Sequence, residues 1–382
     1  MSDECRILKS SNKRGASTRE RTLLVQVLHG RQRREEAADS ILELERLAVT
    51  AGAAVAGTIT QQRNKPTASL FIGEGKLADI QLACREAGAN MVIFDNDLSA
   101  VQVNNLDLAL GIKVIDRTEL ILQIFARRAR SAEAQTQVEL AQLQYLVSRL
   151  PVSRKQQRFQ GGIGMKGPGE SPLQLRNKPM RRRIKDLKKK LDAIQQRQRR
   201  TRMRRPWPLV CLVGYTNVGK STLLNAFSSA HAYVDDRLFA TLDTKTRLVR
   251  LPDKRDILMS DTVGFIKHLP YGLVASFRST LEVAMEADLL LIVADAGHPC
   301  LTDHLKVTRE TLSEIGADSV PSLLLLNKVD APAAKALKDE LTGRYPDAHF
   351  ISALREQGLK KVKEEISNAI PNFANAKLSC CQ

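Results

Sequence analysis

Apolar and polar positions change period several times along the chain. From about Arg21 to Arg130, short apolar runs alternate with amphipathic stretches. LLVQVL (Leu23 to Leu28) precedes an amphipathic helix over Ala37 to Leu47 that ends near Gly52. Then come AVAGTITQ, a helix opening near Lys76, the run MVIFD (Met91 to Asp95), another helix, and IKVID (Ile112 to Asp116). Apolar strands separated by helices need crossover connections, so this stretch predicts βαβ units and a parallel sheet. Within it, FIGEGK (Phe71 to Lys76) has the look of a phosphate loop. The four intervening residues are missing, however, and Leu77 stands where a hydroxyl would be needed. A turn and a helix start are expected there instead.

The period then becomes helical. Val138, Leu140, Leu143, Leu146, Val147 and Leu150 form one apolar face. Ile184, Leu187, Leu191 and Ile194 form a second, at heptad-like spacing. Two such seams predict an antiparallel helical hairpin. Its long connection carries GGIGMKGPGES (Gly161 to Ser171), and loops of that length are commonly functional. Proline disfavours helix in its surroundings, so Pro172 and Pro179 place the start of the second helix at about Met180. Arg204-Arg205-Pro206 closes it. From Trp207 onward, buried-strand runs return at Leu209 to Val213, Ile257 to Ser260, Leu289 to Ala294 and Leu323 to Leu326.

The loops after these strands carry the candidate chemistry. Gly214 to Ser221 reads GYTNVGKS, a strand–loop–helix phosphate motif. Its backbone N–H groups curl around phosphate oxygens, Lys220 neutralises them, and the Ser221 hydroxyl suits Mg²⁺. The helix N-terminus adds its positive end. Asp261-Thr262-Val263-Gly264 fits D-x-x-G, with Asp261 reaching Mg²⁺ through water and the Gly264 N–H sensing a γ-phosphate. Asn327 to Asp330 reads NKVD at a strand end, where open parallel sheets bind ligands. Asp330 would accept from guanine N1–H and the exocyclic amine. Adenine offers neither, and a site built on such bonds rejects the wrong partner by roughly 10⁴-fold. Asn327 supports the loop, Lys328 lies across the ring, and Ser352-Ala353-Leu354 completes the base pocket. In RLFATLDTKTR (Arg237 to Arg247), Thr241 is the residue expected to close over Mg²⁺ and the γ-phosphate, with Thr244 and Thr246 as alternatives.

The expected contact set is Gly214, Tyr215, Thr216, Asn217, Val218, Gly219, Lys220, Ser221 and Thr222, then Phe239, Ala240 and Thr241. It continues with Asp261, Thr262, Val263 and Gly264, then Asn327, Lys328 and Asp330, then Ser352, Ala353 and Leu354. Lys220, Thr241 and Gly264 would act on the reacting phosphoryl group. Ser221, Thr241 and, through water, Asp261 would hold Mg²⁺. The expected ligands are GTP and GDP. Phe265 follows D-x-x-G where signalling GTPases carry a water-orienting glutamine. Phenylalanine cannot hydrogen-bond water, so slow intrinsic hydrolysis is expected. In related GTPases an asparagine at the place of Asn217 helps hold K⁺, which makes K⁺ a second candidate ion.

Charge adds a partner. Of the net +17, residues 151–205 hold +16, from 19 Lys or Arg against Glu170, Asp186 and Asp192. Such concentration is the footprint of a polyanion-binding element. Lys166, Arg154, Lys155 and Arg158 around the glycine-rich loop suit a nucleic-acid backbone. No apolar run approaches the roughly 18–20 residues of a membrane span, and residues 1–20 lack a secretory h-region. The six cysteines show no paired spacing. A cytoplasmic monomer is expected.

These residues together resemble the HflX family of ribosome-associated GTPases, within the Obg–HflX group. The resemblance covers about residues 21 to 371. It rests on AGTITQQRNKP (Ala56 to Pro66), FIGEGK, VIFDNDLS (Val92 to Ser99), KVIDRTELIL (Lys113 to Leu122), VELAQLQYL (Val138 to Leu146), GGIGMKGPGE, GYTNVGKSTLLN, FATLD and DTVGFI. It implies an α/β protein: an N-terminal parallel α/β domain (21–130), a basic antiparallel helical hairpin (131–205), a C-terminal P-loop GTPase domain (206–371) and a tail (372–382). It also implies GTP-dependent binding to the large ribosomal subunit, with the hairpin on ribosomal RNA, and splitting of stalled ribosomes. One departure is SPLQLRNKP after GPGE, where the family usually continues TQLETDRRR. Two other readings stay open: an assembly factor on precursor large subunits, and a switch whose basic arm meets acidic lipid or protein.

Overall fold

A computed structural model of the chain describes residues 20–29, 34–149, 172–202, 206–228, 238–239, 245–267 and 283–370. Its first sheet consists of β1 (Arg21–His29), β2 (Ala54–Arg63), β3 (Met91–Phe94) and β4 (Lys113–Asp116). The order is β2-β1-β3-β4 and every pair is parallel. Helices α1 (Arg34–Thr50), α2 (Glu74–Ala87) and α3 (Ala100–Leu110) provide the crossovers, and α4 (Arg117–Arg128) follows the last strand. Both faces of a parallel sheet are covered, so its inner strands read as nearly unbroken apolar runs. Accordingly, Leu23, Leu24, Val25 and Val27 of β1 and all of β3 are buried. The expected alternation of strand and helix is thus present. FIGEGK is a turn and a helix start, with Gly73 as the N-cap and Glu74 to Lys76 in the first turn of α2.

Helices α5 (Ala132–Arg149) and α6 (Pro172–Arg202) pack against each other. Leu187 and Leu191 of α6 are buried, and Arg183 forks onto Glu139 at 2.7 and 3.0 Å. The C-terminal end of α5 is held to the first sheet by its own side chains. Tyr145 donates to Asp116 at 2.8 Å, and Arg149 pairs with the same buried carboxylate. The expected start of α6 at Met180 is wrong: the helix begins at Pro172 and runs through Pro179. Pro172 occupies the first helical position, where a missing N–H costs nothing. The roughly 3 kcal/mol lost at an interior proline is borne by a helix of 31 residues. The glycine-rich connection and Arg204-Arg205 lie outside the described residues.

The second sheet has the order β10-β9-β8-β5-β7-β6. Its strands are β5 (Leu209–Gly214), β6 (Lys245–Arg250), β7 (Asp256–Asp261), β8 (Leu289–Asp295), β9 (Ser322–Asn327) and β10 (His349–Phe350). All neighbours run parallel except the edge strand β6. Helix α7 (Lys220–Ser228) follows β5, α8 (Leu301–Glu314) follows β8, and three short helices lie after β9: α9 (Pro332–Ala336), α10 (Lys338–Arg344) and α11 (Leu359–Ala369). Every residue of β5 is buried, which puts the loop after it at the centre of the sheet's C-terminal edge.

Among the described residues, one apolar cluster crosses between the two halves. Leu44 and Leu47 of α1, Ile121 and Phe125 of α4, and Val138 and Ala141 of α5 share it with Leu238, Phe239, Val263 and Ile266. Phe239 meets Phe125 edge-on, with ring centroids 4.6 Å apart. Among the described residues, no helix is long and apolar enough to cross a membrane.

Candidate nucleotide site

Three loops at the C-terminal edge of the second sheet converge around Asn327. Its side chain is buried; Nδ2 donates to the Val218 carbonyl at 2.7 Å, and Oδ1 accepts from the Ala353 N–H at 2.9 Å. One amide thus ties GYTNVGKS, NKVD and SAL together. Gly219 fits beneath it: its φ is +93°, and a Cβ there would lie 2.4 Å from Asn327 Nδ2. Beside this junction, Asp330 accepts from the Ser352 hydroxyl at 2.6 Å. That bond, ahead of the opposing effect of burial, holds its carboxyl below the usual range, so it stays an anion that can only accept. Lys328 is folded over Asp295 at 2.8 Å. Leu354 is the outermost member of the set, 77% exposed.

At the phosphate end, Lys220 is buried and donates to the carbonyls of Gly214 (3.0 Å) and Tyr215 (2.7 Å). Burial pushes its ammonium down to about 8, with Asp261 opposing the shift. The Ser221 hydroxyl donates to Asp261 at 2.6 Å. Asp261-Thr262-Val263-Gly264 lies directly on the phosphate loop. Phe265 donates its N–H to Gly214 O at 3.1 Å and accepts from Thr216 N–H at 2.8 Å. A Cβ on Gly264 would come within 2.8 Å of Thr216 Cα and 3.0 Å of Lys220 Nζ. The second loop is thus laid against the start of the first. The Phe265 ring is buried in the core of the second sheet, turned away from any water a glutamine would orient.

The depressed Lys220 ammonium has a measurable consequence. Its folded pKa lies below the 10.5 of an ordinary lysine, so its cost to folding is full below pH 8 and fades as pH rises toward 10.5. Phosphates need the charged form, so binding takes up a proton once pH exceeds 8. GDP affinity is expected to weaken about fivefold between pH 7.0 and 8.7, a range below ionisation of guanine itself. Calorimetric titration at the two pH values checks this, and equal affinities would contradict it.

The remaining expected residues divide. Thr262 is buried and donates to Leu212 O at 2.7 Å, a bond within the sheet. Val263 and Phe239 turn into the shared apolar cluster instead of toward the loop. Thr246 lies on β6 and donates to Ser260 at 3.3 Å, so it is not gathered into the site. Ala240, Thr241 and Thr244 fall outside the described residues.

Sequence reasoning misses a polar seam behind the phosphate loop. The Tyr215 hydroxyl donates to Glu43 of α1 at 2.5 Å and accepts the Lys267 N–H at 2.8 Å. Its ring stacks on His304 at 3.7 Å. Lys267 also reaches Asp39 with its ammonium at 2.7 Å. Burial alone would raise the Asp39 carboxyl, but bonds from His304 and Lys267 outweigh it and hold it well below the usual range. Behind Glu43 sits Arg117, fully buried between Glu43 (3.1 Å) and Asp95 (2.7 Å). A signal was available: Glu43 stands on the same stripe of α1 as Ser40, Leu44 and Leu47, an acid on an otherwise inward face.

Comparison with known proteins places this geometry. Residues 38–126 match the family described as GTP-binding GTPase N-terminal, 128–205 the GTP-binding GTPase Middle Region, and 209–328 the 50S ribosome-binding GTPase family. GTPase HflX of Caldanaerobacter subterraneus subsp. tengcongensis is 42% identical over 359 residues, covering 93% of this chain and 82% of that protein. The chain belongs to the HflX family of GTPases. HflX of Alkalihalophilus pseudofirmus is 45% identical over 88% of this chain and 79% of its own length. HflX of Escherichia coli K12 is 42% identical over 76% and 70%. Among solved structures, the SsGBP–GDP complex is 26% identical with a TM-score of 0.51, covering 91% of this chain and 98% of that one. This HflX-family chain is therefore a GTP-binding α/β protein and a GTP hydrolase.

Proposed function

We propose that this GTPase binds the large ribosomal subunit through the basic α5–α6 arm and separates or rescues stalled ribosomes, with nucleotide state controlling the arm. The observation that carries the reading is the arm itself. Leu187 and Leu191 of α6 face inward, while Arg181, Arg182, Arg183, Lys185, Lys188, Lys189 and Lys190 are exposed. A helix so charged is suited to a phosphate backbone. The match of residues 209–328 to a family described as 50S ribosome-binding GTPase supports the same partner.

In this reading Lys220 leaves the Gly214 and Tyr215 carbonyls for the phosphates, and the Gly264 N–H meets the γ-phosphate once that loop lifts off Thr216. Asp330 reads guanine, while Asn327 keeps the three loops in register. Ser221 and Asp261 present hard oxygen donors 2.6 Å apart, a set suited to Mg²⁺. Mg²⁺ would supply charge neutralisation between phosphate oxygens. The arm binds rRNA, and hydrolysis resets the switch for release.

The test is GTP turnover with and without purified large subunits, with Lys220→Ala as the blank. Stimulation of tenfold or more is expected. Tight GTP binding without stimulation would move the arm's partner away from the ribosome.

A further inference from the structure

The two halves of α5 are held to the molecule in different ways. Ala134, Val138 and Ala141 dock its first half in the shared apolar cluster. After Ala141 no residue of α5 is buried, and Leu146 is 39% exposed. A helix end without core burial frays unless something ties it down. Here the tie is a carboxylate. Asp116, the last residue of β4, is fully buried and accepts from four groups among the described residues. The Leu98 N–H reaches it at 3.2 Å from the segment after β3, and the Glu119 N–H at 2.9 Å from the first turn of α4. The Tyr145 hydroxyl donates at 2.8 Å, and Arg149 pairs with the oxygen that Leu98 also meets.

Tyr145 and Arg149 are four residues apart and share one face of the helix. The guanidinium lies over the Tyr145 ring at 4.4 Å and donates to the Leu98 carbonyl at 2.9 Å. The ends of β3 and β4, the start of α4 and the last turn of α5 thus meet at one point. Burial raises the Asp116 carboxyl, and Arg149 is the foremost of the groups that oppose this. A buried ion pair is a poor source of stability, because desolvation offsets its attraction. What it does supply is direction. Helix α6 packs along α5, so the course of α5 sets where Lys185, Lys188 and Lys189 of α6 point their exposed charges.

We propose that Tyr145 and Arg149 are positioning residues for RNA recognition, which through Asp116 fix the end of α5 and aim the basic face of the arm at ribosomal RNA. The inference rests on the ribosome reading above and names the device that presents the arm. A loose arm loses freedom when it binds, and a fixed one loses less, so the device raises affinity without adding a phosphate contact. Salt dependence counts only the phosphates neutralised. Affinity and salt slope should therefore respond differently when the tie is cut.

Affinity for purified large ribosomal subunits is measured on the full-length chain with a non-hydrolysable GTP analogue, across a salt series. The proteins are the parent, Tyr145→Phe, Arg149→Met, Arg149→Lys and Glu86→Ala. Hydrogen exchange over residues 142–149 is followed on the same proteins without subunits. Tyr145→Phe and Arg149→Met are expected to weaken binding by about fivefold or more and to speed exchange in that stretch, with the salt slope unchanged. Arg149→Lys keeps a charge on Asp116 and recovers most of the affinity, while Glu86→Ala, exposed on α2, matches the parent. Tyr145→Phe removes only a hydroxyl, so the test stands should Arg149→Met fold poorly. Subunit binding by both variants within twofold of the parent, whatever their melting temperatures, would reduce the tie to a structural contact and overturn the proposal. So would a salt slope lowered by about one for Arg149→Met alone, since that signature belongs to a direct phosphate contact. A parent that binds no large subunit would sink the ribosome reading itself, and this inference with it.

Discussion

Lys220→Ala is expected to lower GTP turnover by at least about 10³-fold while leaving the fold intact or firmer. Its ammonium is the one cation inside the phosphate loop, in a buried place where charge stabilisation is strongest; losing even one donor at such a site costs about 10²–10³-fold. Stability moves the other way. Lys220 is buried with its ammonium pushed down to about 8, and a cation held so far from water costs folding free energy below that pH. Alanine removes this cost, though the Gly214 and Tyr215 carbonyls lose a donor. Turnover and a thermal melt at pH 7 on the same preparation check both halves. Turnover within tenfold of the parent would take Lys220 out of the reaction. A melt lowered by several degrees would mean that its bonds to the two carbonyls outweigh its desolvation.

The largest effect on stability is expected from Arg117→Ala. The guanidinium is 1% exposed and lies between Glu43 and Asp95, themselves buried. Gln26 and Ser40 also bond Asp95, at 3.1 and 2.7 Å. Truncation leaves two carboxylates in a dry place without their counter-ion, a change that costs about 3–5 kcal/mol and should lower the melting temperature by roughly 10 °C or more. The effect should spread, because Glu43 also positions the Tyr215 hydroxyl. A control separates charge from packing. Arg117→Met combined with Glu43→Gln and Asp95→Asn removes all three charges and should recover most of the loss. A single variant melting within about 3 °C of the parent would show that the buried trio contributes little.

These two residues illustrate what a sequence carries. Lys220 is legible because its motif is local: eight consecutive residues, a strand before and a helix after. The parallel sheets are legible for a similar reason, since the switch from strand to helix period is written within each unit. Arg117 is not. It follows β4 in KVIDRTELIL as one charge among several, and its worth depends on Glu43 and Asp95, which only folding brings beside it. The seam at Tyr215 is hidden likewise: its partner Glu43 lies 172 residues away. Motif position turns Phe239 and Val263 toward nucleotide, whereas apolar packing draws them toward α4 and α5. The start of α6 is misplaced when proline is taken as a break, because at a first helical position it is favourable.

The shared apolar cluster has a consequence for nucleotide exchange. Phe239, Val263 and Ile266 belong to segments that flank the phosphate loop, yet they are packed among side chains of α1, α4 and α5. Any body that grips the arm and eases Phe125 away from Phe239 alters how readily those segments release GDP. Linkage makes the trade symmetrical: the factor by which a gripped arm changes nucleotide affinity equals the factor by which nucleotide changes the grip. An exchange factor for this protein therefore need not touch guanine or phosphate. It can work from the far end of a helix, as a load on a lever.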